Sequence, residues 1–113
     1  MNNDESQMFL VAGPDENNLA AELMDCGVDI REINEMLTHE SLEAAGLATA
    51  DTLVLTAMDD ASAIPVAKEQ NPGVRVVMYT SDSLPEFARG QTDLAIDPAL
   101  LNATVVAEEL TES

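Results

Sequence analysis

Residues 50–79 read ADTLVLTAMDDASAIPVAKEQNPGVRVVMY. Two apolar runs, TLVLTA at 52–57 and VRVVMY at 74–79, flank a stretch with helical character. Short apolar runs of this kind suit strands buried on both faces. Between them the helix is expected to start near Asp60 to Ser62. Ser62 is the expected N-cap, and Pro65 then falls in the first turn, where its missing N–H costs little. Asn71-Pro72-Gly73 ends the helix. Strand, helix, strand in this compass is a right-handed crossover unit, and it predicts parallel pairing.

The same alternation extends in both directions. QMFLVA (7–12) reads as a buried first strand. Residues 16–26 place Leu19, Ala20 and Leu23 at helical spacing, and Gly27 follows as a C-terminal cap. VDIREI (28–33) alternates apolar and polar residues as a strand does, and HESLEAAG (39–46) is a short helix. Beyond the opening stretch, LPEFAR (84–89) is a short helix and Asp93–Ile96 a fifth strand. Asp97 and Pro98 are expected to cap a last helix over about 98–110. The fold class expected is α/β, a three-layer sandwich around a Rossmann-like five-stranded parallel sheet in the order 3-2-1-4-5. One domain spans 7–110, with frayed tails at 1–6 and 111–113.

Charge bounds the partners. Asp and Glu number 22 against 4 Lys and Arg, a net charge of −18 on 113 residues. Either a disordered chain or a folded domain adapted to molar salt could carry such an excess. Hydrophobic residues make up 46% of the chain and fall in compact runs, which favours the folded, salt-adapted reading. The acidic surface argues against nucleic acid, whose phosphates are bound by Lys and Arg. The single Cys26 excludes an internal disulfide and fits a reducing cytoplasm. Met1–Ser6 lacks the basic region of a signal peptide. No apolar run approaches the roughly 18 residues of a membrane helix. A cytoplasmic protein without a membrane partner is therefore expected.

Residues 50–98 resemble the second half of TrkA-N domains, the nucleotide-binding Rossmann modules that regulate potassium channels and transporters. The shared features are a strand, a threonine and acid pair, a helix, the Asn-Pro turn, a valine-rich strand, then a polar loop and short helix. The first half is less similar. The whole chain also resembles short haloarchaeal proteins of unassigned function, some carrying a CTP synthetase label. That activity finds no support in a chain with no P-loop, one Cys and one His.

The resemblance implies a dinucleotide loop after the first strand, where G-x-G-x-x-G lets the backbone approach pyrophosphate. Here the loop is Gly13-Pro14-Asp15-Glu16-Asn17-Asn18, and only the first glycine remains. Asp15 and Glu16 complement a helix dipole but would repel a phosphate in the same place. After the second strand, Asn34 could bond a ribose hydroxyl. Asp59 and Asp60 follow the third strand at the carboxyl edge, where paired acids cap a helix or hold a hard cation. Thr80-Ser81-Asp82-Ser83 follow the fourth strand, beside the Gly13 loop. The expected ligand-binding set is Gly13, Asp15, Asn17, Asn34, Thr56, Asp59, Thr80 and Ser81.

A receiver domain of two-component signalling is the rival fold, since VVMYTSDS (76–83) resembles its fourth strand and Thr/Ser switch. A working receiver needs a phosphoacceptor Asp ending the third strand and a lysine ending the fifth. This chain has Thr56 and Asp97-Pro98 there. His39 and Cys26 are each alone, so no catalytic set is expected. The expectation is a non-catalytic module with a degenerate dinucleotide loop, binding a small molecule or nucleotide, a protein, or a second copy of itself. No cofactor is identified. The alternatives are a Mg-dependent nucleotide-binding enzyme or enzyme subunit, and a degenerate receiver-like signalling domain.

Overall fold

The computed structural model describes residues 7–111. Of the expected tails at 1–6 and 111–113, residues 1–6 and 112–113 lie outside the described residues, while Thr111 is the last residue of a helix. Five parallel strands run β1 (Met8–Ala12), β2 (Asp29–Ile33), β3 (Thr52–Leu55), β4 (Arg75–Tyr79) and β5 (Leu94–Ile96). Five helices, α1 (Leu19–Asp25), α2 (His39–Ala45), α3 (Ile64–Gln70), α4 (Glu86–Arg89) and α5 (Ala103–Thr111), alternate with them.

The three-layer α/β sandwich is as expected, and the strand order is 2-1-3-4-5. It differs from 3-2-1-4-5 in the place of β3, which pairs with β1 and β4 rather than outside β2. The physical reason lies in the strands themselves. All four residues of β3 are buried, so it belongs in the middle of the sheet. β2 carries exposed Asp29, Arg31 and Glu32, which an edge strand tolerates.

Side chains alternate across the sheet at a period of two. Leu10, Leu53, Leu55, Val76 and Met78 pack with Leu42, Leu47 and Ile64 on one face. Phe9, Val11, Val54, Val77 and Tyr79 pack with Leu19, Leu23, Val106 and Leu110 on the other. Burying one such leucine contributes about 1.5–3 kcal/mol, so two filled faces hold the central strands rigidly.

Several local expectations shift. α1 starts at Leu19, later than residue 16, because Asn18 takes a left-handed conformation at φ 59° and breaks the helix before it. A 3-10 segment, Met58–Ala63, runs directly into α3, so Ser62 does not cap it. The first N–H groups of α3 therefore find partners without a side chain. The last helix starts at Ala103, not near 98, and extends through Thr111. Asp97 instead closes a turn, accepting the Ala99 N–H at 2.9 Å, and Asn102 takes the Val105 N–H at 2.9 Å. Among the described residues, no helix is long and apolar enough to cross a membrane.

All four basic side chains are bound to backbone carbonyls. Arg31 donates to Ala45 O at the end of α2, and Arg75 to Leu110 O near the end of α5. Lys68 donates to Val74 O, and Arg89 to Leu84 O. Cations at helix ends satisfy carbonyls that have no intrahelical partner. The chain has so few of them that its positive charge goes wholly into internal fastening.

Candidate functional site at the carboxyl edge

In the order 2-1-3-4-5 the connections reverse direction between β1 and β3, and the carboxyl ends of those strands frame the usual binding crevice. A cavity of about 220 Å³ lies there, with Asp15, Asn17, Thr56, Thr80 and Ser81 in its wall. Those five of the eight expected residues are brought together. Gly13 stands behind them, against Thr56. Asp59 is exposed and does not line the cavity. Asn34 lines a separate groove beside α2. Pro14, Tyr79 and Pro98 also line the cavity. Their positions at strand ends were the signal that could have named them.

The loop after β1 fills its own helix terminus. Leu19 and Ala20 donate their backbone N–H groups to the two carboxylate oxygens of Asp15, at 2.8 and 3.0 Å. A phosphate at a helix N-terminus would use those same donors. Asp15 is thus an internal anion where a dinucleotide would place its pyrophosphate.

Thr56 fastens the loop from the other side. Its hydroxyl lies 3.1 Å from the Ala12 carbonyl and within hydrogen-bond reach of the Pro14 carbonyl. A hydroxyl has one proton and donates it to either. Gly13 permits the approach, because its φ of +97° is a left-handed conformation that favours glycine.

The surrounding electrostatics are acidic throughout. Burial first, then the neighbouring Asp59, pushes Asp60 above its ordinary value. Burial first, then the Asp15 charge, pushes the Tyr79 phenol up as well. The Tyr79 hydroxyl donates to the Leu101 carbonyl at 3.0 Å, which ties β4 to the loop after β5. Thr80 Oγ1 accepts the Asp82 N–H at 3.3 Å as an ordinary turn contact. Among the described residues, no group of three or more His, Cys, Asp or Glu side chains could hold a metal ion.

These features define an α/β module of the doubly wound class, and among the described residues no basic side chain lines the cavity between β1 and β3. The profile of a family described as a family of unknown function (DUF7126) matches residues 9–110, and the chain belongs to that family. No curated protein matches it. Among solved structures it is similar to a protein of Burkholderia pseudomallei described as pilus assembly-related, at TM-score 0.69 and 18% identity, over 99% of this chain and 92% of that one. An orphan response regulator of H. pylori matches at TM-score 0.68 and 13% identity, over 93% of this chain and 94% of that one. A response regulator protein of B. pseudomallei, with a phosphorylated aspartic acid, calcium ion and citrate, matches at TM-score 0.62 and 18% identity, over 95% of this chain and 72% of that one. At these identities the likeness is one of fold.

The expected kinship with TrkA-N domains is corrected by these matches, which point to the response-regulator fold. The misleading residues have structural work. Asn71 of the Asn-Pro turn donates its side-chain amide to the Leu47 and Ala50 carbonyls, each at 2.9 Å. Asp60, of the acid pair, sits in the 3-10 turn leading into α3. A strand, turn, helix and strand built this way serves any doubly wound sheet.

Proposed function

We propose that the chain is a regulatory or interaction module on a receiver-like scaffold, which works without accepting a phosphoryl group. The observation that carries this reading is Thr56. It directly follows β3, where a receiver presents its acceptor Asp, and its hydroxyl is committed to the Ala12 and Pro14 carbonyls. Asp97-Pro98 follows β5 in place of the receiver's lysine. A site with neither the carboxylate nucleophile nor the cation that steadies a phosphoryl group has no means of transfer.

Protein contact is the output this reading assigns to the β5 edge. Phe87 on α4, Leu94 on β5, Leu100 and Leu101 in the following loop and Val105 on α5 are all exposed. Residues 98–107, PALLNATVVA, carry no charge at all in a chain of net −18. A neutral, apolar edge on an otherwise repulsive surface is where a protein partner or a second copy would approach at least cost. The test is incubation with acetyl phosphate and Mg²⁺, followed by intact mass measurement. The expected mass is unchanged; gain of one phosphoryl group would overturn the reading.

A further inference from the structure

At the opposite edge of the sheet from β5, two concavities of about 560 and 520 Å³ adjoin between the end of β2 and α2. They share Glu35, Ser41 and Ala44, so they form one groove. Its floor includes the small residues Ser41, Ala44 and Ala45. β2 pairs with β1 alone, which leaves its outer edge open alongside. In the loop that walls the groove stands Met36, 81% exposed and the most exposed large hydrophobic among the described residues.

The groove is acidic on balance, with three carboxylates against the one guanidinium of Arg31. Glu32, Glu35 and Glu40 line it. Among the described residues the only ion pair is Lys68 with Asp93, so none of these three carboxylates is held in an ion pair there. Arg31 also lines the groove, but its Nη1 is held 3.1 Å from the Ala45 carbonyl.

We propose that this groove docks an extended segment of a partner protein in which Lys or Arg residues alternate with aliphatic ones. An open strand edge recognises extended backbone. Unpaired carboxylates recognise the basic heads, and the small-residue floor with Met36 receives the aliphatic stems. A second copy of this chain is a poor occupant, because each copy brings 22 acids against 4 bases. The groove lies at the other end of the sheet from the β5 edge, and the proposal does not depend on the phosphoryl reading.

The test is an amide NMR titration with a synthetic peptide alternating lysine and valine, at the lowest KCl concentration that keeps the protein folded. The expected result is saturable shifts confined to residues 30–46. Glu35→Gln/Glu40→Gln should weaken binding about fivefold, as for two partly exposed charge contacts. The control pair Glu108→Gln/Glu109→Gln on α5 makes the same charge change and should leave affinity as it was. The amide spectra of both variants report that they are folded. Absence of saturable shifts, shifts spread over the whole acidic surface, or equal weakening by both pairs would overturn the proposal.

Discussion

Gly13 and Thr56 meet so closely that a Cβ placed on Gly13 would lie 2.6 Å from Thr56 Oγ1. The contact joins the loop after β1 to the end of β3, the two neighbours that the strand order brings together. Gly13→Ala should therefore cost about 2–3 kcal/mol, from the left-handed backbone and the clash together. Thr56→Ala alone should cost about 1 kcal/mol through its lost hydrogen bond. The double variant should cost less than the sum, because the clash is gone. Urea unfolding of the three variants measures this; strict additivity would contradict the contact.

The acid side of the stability profile should depend on Lys68. Burial pushes Asp93 up, but the Val76 N–H and the Lys68 ammonium outweigh it and hold the carboxyl below its ordinary value of 3.8. A depressed folded value gives stability that is present above the unfolded value and lost as pH falls through the folded one. Lys68 bonds Asp93 at 3.0 Å near the surface, so the effect is modest. Lys68→Met should flatten the loss of the urea midpoint below about pH 4. An unaltered acid limb would contradict the assignment.

Asp60 should behave in the opposite sense. Its folded value is raised, so its ionised form opposes folding at neutral pH and the penalty fades as pH falls through that value. Asp60→Asn should raise the thermal midpoint at pH 7, with a gain that shrinks in acid. A lower midpoint at pH 7 would show that the carboxylate has a stabilising contact instead.

Salt should stabilise the whole molecule. The basic side chains are spent on the Ala45, Val74, Leu84 and Leu110 carbonyls, and among the described residues only Lys68 also pairs with an acid. Most of the −18 charge is therefore uncompensated repulsion. Raising KCl from about 0.1 M to 1 M shortens the screening length from about 10 Å to about 3 Å. The thermal midpoint should rise over that range; a flat or falling midpoint would contradict it.

At the β5 edge, Phe87→Ser/Leu100→Ser should leave stability within about 0.5 kcal/mol, since both side chains are exposed. The same pair should abolish any self-association seen by sedimentation in molar KCl. Association that survives the substitutions would place the contact elsewhere.

The fold class was legible because strand runs such as TLVLTA and VRVVMY are apolar on both faces and alternate with helical spacing. The strand order was misread as 3-2-1-4-5, and the burial of each strand supplies the reason. Alternating VDIREI suits an edge, and the fully buried β3 a centre. The acids of the Gly13 loop spoke against a phosphate in the sequence; that Asp15 itself occupies the two N–H groups needed coordinates. The helix cap at Asn102 was hidden because Asp97-Pro98 offers an equally good start signal, and the turn at Ala99 absorbed it. Asn34 could not be separated from the site by sequence, since every residue after a parallel strand lies at the same edge. Which strand neighbours which decides the grouping.

The central claim is that Asp15 and Thr56 close the carboxyl edge against phosphoryl groups. Its most direct test is the amide spectrum during titration with Mg²⁺ together with ATP, NAD⁺ or beryllofluoride, a mimic of an acyl phosphate. The account predicts no saturable shift at residues 13–17, 56–60 or 80–82. A saturable shift confined to those residues would contradict it.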